Sequence, residues 1–204
     1  MDKLDVKKTQ KPLYSGRNGV WDRLDVPPMT FLAVEGQGNP DGPDYAAAIG
    51  ALYPLAYGLK FQAKAAAADF VVPPLEALWW AEDPTAFVGG RRDEWHWRAM
   101  IRIPVPVTDA MNATAREKAR GKSDALDRVQ LIEEAEGDCL QTLHVGPYSD
   151  EAPVLADLHD RVMPGMGLTF GKPHHEIYLS DPRRVAPEKL RTILRQPVVP
   201  IPSP

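Results

Sequence analysis

From Met29 onward, apolar residues are massed or alternated between clusters of glycine and proline. Met29-Thr30-Phe31-Leu32-Ala33-Val34-Glu35 reads as a strand, stopped by the dense turn cluster Gly36-Gln37-Gly38-Asn39-Pro40-Asp41-Gly42-Pro43. Ala46, Ile49, Gly50, Leu52, Tyr53, Ala56 and Tyr57 then recur at three- and four-residue spacing, which predicts a helix with Asp44 as its N-cap and Gly58 as its stop. Pro54 removes a backbone donor and is expected to kink that helix or end it early. Leu75 to Ala81 and Trp95 to Val107 are strand-like and expected to pair antiparallel. Thr108 to Ala119 reads as a mostly solvated helix, capped by Thr108 or Asp109 and stopped at Gly121.

The second half repeats this layout. Val129 to Glu133 and Cys139 to Val145 flank Glu136-Gly137-Asp138, predicting a hairpin whose turn uses the positive-φ tolerance of Gly137. After the turn Gly146-Pro147-Tyr148, a helix is expected from about Asp150 to Met163, capped by Ser149 or Asp150, with Val154, Leu155, Leu158 and Val162 as its apolar stripe. His175 to Leu179 and Leu190 to Val199 read as the last strands, the latter after a helical turn at Pro187. Gly58-Leu59-Lys60-Phe61 and Gly167-Leu168-Thr169-Phe170 close corresponding segments with the same Gly-Leu-x-Phe pattern. The expectation is one α+β domain over residues 1–204, duplicated as about 29–107 and 128–200, with one helix per half on one sheet face and a concave surface on the other.

On a strand, His174, Glu176 and Tyr178 share one face and His175, Ile177 and Leu179 the other. With Ile177 and Leu179 expected toward the helices, Glu176 points to the concave side, where partial desolvation would raise its pKa and suit it to proton transfer or to a cationic ligand. Spacing alone favours the other reading, an exposed strand glutamate at a sheet surface. All five tryptophans precede residue 100, and Trp79, Trp80, Trp95 and Trp97 sit on the two paired strands. They offer either a box for a planar or cationic ligand or ordinary core.

Charge and motifs narrow the function classes. The net charge of -4 gives no reason to expect a direct nucleic-acid partner. No apolar run approaches the roughly 20 residues of a membrane span, and the N-terminus has no signal-like apolar segment, so the expected location is the cytoplasm. The single cysteine, Cys139, excludes an internal disulfide and reads as core. His174-x-Glu176 lacks the Pro-Cys-x-x-Cys that a zinc deaminase requires, and His144, His159, His174 and His175 lack metal-site spacing. There is no Walker loop, dinucleotide fingerprint or Gly-x-Ser-x-Gly elbow, so no cofactor and no metal are expected.

Leu143-His144-Val145-Gly146-Pro147-Tyr148, a helix, and Glu176-Ile177-Tyr178-Leu179-Ser180-Asp181-Pro182 together resemble the GyrI-like small-molecule-binding family. The resemblance covers most of the chain and is carried mainly by its second half. It implies a pseudo-twofold fold of two β-α-β-β units forming an antiparallel sheet, with helices on one face and a ligand groove with a central acidic residue on the other. Glu176 matches that acidic position and is the catalytic candidate. Tyr178, Tyr148, Trp80, Trp97, Trp95, Tyr53, Tyr57 and His174 are the ligand-binding candidates. Many relatives carry an N-terminal helix-turn-helix; residues 1–28 are too short and irregular to supply one, so the expectation is the stand-alone form. Some stand-alone relatives are hydrolases that open the strained cyclopropane of DNA-alkylating compounds, whereas others sequester drugs or inhibit a protein partner such as gyrase. The resemblance therefore leaves open a hydrolase, a drug-sequestering protein and a module that binds a protein partner such as gyrase or a regulator.

Overall fold

The computed structural model describes residues 3–202, and among them the apolar runs between Gly and Pro clusters form nine strands. They are β1 (Asp22–Val26), β2 (Met29–Gln37), β3 (Leu75–Trp80), β4 (His96–Arg102), β5 (Gln130–Glu134), β6 (Gly137–Val145), β7 (Leu168–Phe170), β8 (His174–Tyr178) and β9 (Arg191–Pro200). The class is α+β with antiparallel pairing, and the chain divides into two compact units. One comprises the segment ending at Gln10 with Met29–Glu134; the other comprises Lys11–Pro28 with the chain from Ala135 onward.

In the first unit the order is β3-β4-β2-β5, with Trp79 opposite Trp97 and Phe31 opposite both Arg102 and Ile132. The long helix α1 (Pro43–Ala65) packs on β2 and β4. It begins two residues earlier than predicted, with Gly42 as its cap and Pro43 in the first turn, where a missing N–H costs nothing. Asp44 is instead engaged by the Arg128 guanidinium at 2.5 Å. Neither Pro54 nor Gly58 ends the helix. Leu52, Leu55, Ala56 and Leu59, on both sides of those residues, are fully buried, and each buried leucine contributes roughly 1.5–3 kcal/mol, enough to outweigh the ~3 kcal/mol cost of an internal proline. Gly58 serves a close approach: a Cβ there would lie 3.0 Å from the Cβ of Ala115 on α2 (Asp109–Ala119). The cap of α2 is Thr108, whose hydroxyl accepts from the Met111 N–H at 3.2 Å, and Ala115 and Ala119 form its buried stripe.

In the second unit the order is β1-β6-β9-β8, with β7 also on β9. The predicted hairpin at Gly137 does not form. β5 pairs with β2, while β6 pairs with β1 and β9, so the positive φ of Gly137 (+68°) serves a turn that leads from one unit into the other. The residue just before the turn, Glu136, is held by His175 and Arg195 of the second unit rather than by a hairpin partner. The irregular stretch before Met29 contributes structure here: Lys11–Tyr14 forms a 3-10 turn and Asp22–Val26 is β1. The helix α3 (152–165) starts at Ala152 and contains a wider π turn over Leu158–Val162. Its Leu158 and Met163 pack with Leu140 of β6, Leu168 of β7 and Val198 of β9. β2, α1, β3 and β4 of the first unit and β6, α3, β8 and β9 of the second follow one order, and β3-β4-β2 and β8-β9-β6 repeat one strand arrangement; the Gly-Leu-x-Phe echo does not mark equivalent places, since Gly58 to Phe61 lies within α1 and Leu168–Phe170 is β7.

Candidate functional site

Strand β8 places Glu176. Its register sets Glu176 opposite Leu194 and Tyr178 opposite Thr192, and β9 in turn sets Leu194 opposite Thr142 and Gln196 opposite Leu140. Paired residues share a face, so Glu176 and Tyr178 lie on the side of Leu140 and Val198, the side on which α3 packs. This reverses the expectation that Ile177 faces the helix. Ile177 shares the opposite face with His175 and Arg195, and that face is covered by the Lys11–Tyr14 turn and Ser15. The parity assignment of the strand holds; the error lay in reading the more apolar face as the helix-packed one, because a buried salt-bridge network occupies the other side.

Glu136 receives the Arg195 guanidinium at 2.7 Å and the His175 Nδ1–H at 2.9 Å, Arg195 donates to Gln141 at 2.9 Å and to the Leu13 carbonyl at 2.7 Å, and Gln141 donates to the Pro12 and Ser15 carbonyls. Burial alone would raise the Glu136 carboxyl, but His175 and Arg195 overcome it and bring it down to about 2. The network pins the segment before β1 onto the back of the strand that carries Glu176.

On the α3 side, Glu176 Oε2 accepts from the Tyr178 hydroxyl at 2.8 Å, and its Oε1 lies 3.7 Å from His174 Nε2. Facing them is Glu151, 5% exposed at the start of α3, with Oε1 buried and unpaired among the described residues. Burial pushes both carboxyls above the ordinary range. For Glu151 the negative field of Glu176 adds to burial and the neighbouring Thr192 hydroxyl offsets part of it; for Glu176 the Tyr178 hydroxyl and His175 offset part of it. Glu151 is therefore the member of the pair that keeps its proton to higher pH. Burial, with His175 and His159 nearby, lowers His174 to about 3, so it is neutral.

The motif around Gly146 positions the aromatic wall. His144, on the same face as Thr192 and Tyr178, donates from Nε2 to the Pro147 carbonyl at 3.1 Å, which fixes the turn. Gly146 takes φ +147°, and a Cβ there would press within 3.3 Å of His144 Nε2. The turn delivers Tyr148 edge-on to Tyr178, with ring centroids 5.7 Å apart. Burial and the carboxylates of Glu151, Glu176 and Asp181 push the Tyr148 hydroxyl up to about 12. After β8, Ser180 accepts from the Arg191 N–H at 3.1 Å and Asp181 from the Arg183 N–H at 3.0 Å, closing the connection to β9.

Of the sequence candidates, Glu176, Tyr178, Tyr148 and His174 thus come together in the second unit. Trp80, Trp95, Trp97, Tyr53 and Tyr57 belong to the first. There Trp97 is fully buried, edge-on to Tyr45 of α1 at 5.0 Å, and lies so close to β2 that any side chain at Gly36 would strike its ring. Trp95 donates to the Ala86 carbonyl, Trp80 stacks on His96, and Tyr57 is half exposed beside Phe61. Glu151 was missed, since an acid next to a predicted helix cap reads as capping chemistry. Its available signal was position: three residues after Tyr148 and directly ahead of a proline-containing first turn. Among the described residues no trio of His, Cys, Asp or Glu is arranged to hold a metal, and no helix is long and apolar enough to cross a membrane.

A sequence model of the GyrI-like small molecule binding domain matches residues 23–199. An uncharacterized conserved protein from Listeria innocua is 41% identical, with TM-score 0.88, over 97% of this chain and 100% of that one. A protein described as a hydrolase from the same organism is 40% identical, with TM-score 0.83, over 97% and 100%. The C-terminal domain of EcmrR shares the fold at 10% identity and TM-score 0.56, over 89% and 98%. A search of curated proteins returned no match.

Proposed function

The chain belongs to the GyrI-like small-molecule-binding family, and on that premise we propose that it is a hydrolase of an apolar, electrophilic small molecule. The observation that carries this reading is the buried pair Glu151 and Glu176, one carboxyl inclined to keep a proton and the other engaged by a tyrosine hydroxyl, beside the Tyr148 and Tyr178 rings. Two carboxyls whose proton affinities are pushed apart divide naturally into acid and base. The hydrolase description of a 40% identical relative points the same way.

The substrate class that fits is a planar molecule carrying a cyclopropane conjugated to a carbonyl. Glu176 accepts a proton from water as the water oxygen bonds to the ring carbon. The strained C–C bond breaks, its electrons pass through the conjugated system to the carbonyl oxygen, and Glu151 gives that oxygen its proton. The sum is addition of one water; transfer of the captured proton from Glu176 to Glu151 resets the pair. General acid and base groups contribute typically about 10²–10⁴-fold each.

The test is incubation of wild type and Glu176→Gln with a cyclopropane-conjugated ketone, following the water adduct by mass. Wild type should form it, and the variant should be slower by at least about 10²-fold. Saturable binding of the ketone with no adduct would replace this reading with that of a sequestering protein.

A further inference from the structure

Acid and base are supplied by the two glutamates, yet neither role accounts for His174. Its side chain is 15% exposed, and both ring nitrogens are buried without a hydrogen-bond partner among the described residues. Each buried unpaired polar atom costs about 1–3 kcal/mol, so folding alone would favour an apolar ring of the same size here. The position of the ring gives the reason for a histidine. Nε2 stands 3.7 Å from Glu176 Oε1, too far for a direct hydrogen bond, yet close enough for both atoms to reach one oxygen at about 2.8 Å each. Since Tyr178 occupies Oε2, Oε1 is the carboxylate oxygen beside the ring.

We propose that His174 is a positioning residue for the attacking water, whose oxygen is held jointly by Nε2 and Glu176 Oε1. This rests on the hydrolase reading above. The water directs one proton to Oε1 and the other to Nε2, which acts as acceptor while Nδ1 carries the ring proton. The oxygen lone pair is left facing the electrophilic carbon. As the C–O bond forms, the first proton passes to Glu176; the second stays on the product hydroxyl, and the imidazole ends as it began. Such a role requires a neutral ring, and the buried surroundings supply it: with its pKa down at about 3, the ring remains an acceptor across the neutral range. Orientation of this kind lowers the barrier without adding affinity for the organic substrate.

The test compares wild type, His174→Phe and His174→Gln on the cyclopropane-conjugated ketone, with crystal structures of wild type and His174→Phe. The expected result is a fall in kcat of about 10–100-fold for His174→Phe with KM within about twofold, partial recovery in His174→Gln, whose amide oxygen can accept, and an ordered oxygen within about 3.2 Å of both Nε2 and Oε1 in wild type only. If His174→Phe turned over as fast as wild type, or lost only KM, the positioning role would be overturned while the hydrolase reading stood. If wild type formed no adduct, the hydrolase reading and this one would fall together, and the Glu176→Gln comparison would already have shown it. Should His174→Phe fail to fold, His174→Gln and the wild-type crystal decide alone.

Discussion

Glu151 and His174 are each held in their uncharged form by burial, and each leaves a signature in the pH dependence of stability. The folded-state pKa of Glu151 is raised, so the folded protein binds more protons than the unfolded chain once pH passes the ordinary carboxylate value. Its contribution is complete below that value and is lost as pH rises toward and through the raised one. Glu151→Gln should therefore match wild type near pH 4 and exceed it at pH 9, by about 2–4 °C in Tm for each kcal/mol recovered, read by thermal melts across that range. A wild-type advantage at pH 9 would show that the carboxylate is not desolvated. His174 works in the other direction: its folded pKa is depressed to about 3, so its contribution is present above the unfolded value near 6.5 and is lost as pH falls below it. At this scale the sequence showed how the residues of one strand are arranged. Period-two alternation put His174, Glu176 and Tyr178 on one face, as found. It could not show Glu151, because the meeting of two carboxyls from α3 and β8 depends on how the helix docks, which no local spacing encodes.

Elements were legible where one local signal had one meaning. Of the two caps offered for α2, Thr108 is the one used, and the turn at Pro187–Lys189 precedes β9 as read. Signals with two meanings misled: Gly58 resembled a helix stop and is a helix crossing, and Gly137 resembled a hairpin turn and is a turn between units. The crossing gives a direct check. A valine at 58 gains helix propensity over glycine but drives its branches into Ala115, where the Cβ alone already reaches 3.0 Å. Gly58→Val should be destabilised by about 1–3 kcal/mol in urea denaturation, as for overpacking elsewhere, and Gly58→Val with Ala115→Gly should recover part of it. Equal stability of Gly58→Val and wild type would mean that α1 and α2 do not meet there.

At the scale of the molecule, the duplication is visible in the repeated strand order of the two units, whereas the Gly-Leu-x-Phe echo falls within α1 in one and on β7 in the other and marks no equivalent position. The salt-bridge network behind β8 was not foreshadowed, since Glu136, Gln141, His175 and Arg195 are scattered along the sequence and only strand pairing assembles them. Arg195→Met should cost about 3–5 kcal/mol, because it leaves Glu136 buried without its guanidinium counter-charge, whereas Arg195→Met combined with Glu136→Gln should cost less than that single change. Denaturation midpoints of the three variants at pH 7 check the order. Wild type should also lose stability as pH falls from the ordinary carboxylate range toward about 2, where Glu136 finally protonates.

The path of the chain has a consequence for synthesis. Residues 11–28 belong to the second unit but are made before Met29–Glu134, so β1 and the turn before it leave the ribosome long before β6 and β9 exist to receive them. The first unit, by contrast, has all of its residues once Glu134 has been made, the segment ending at Gln10 having come first, and it can close during translation. Glu151, Glu176 and the strand that sets the register of Glu176, β9, all lie in the unit completed last. A nascent chain can thus hold a complete first unit while the second, with Glu151, Glu176, Tyr148 and Tyr178, still waits for the strand ending at Pro200.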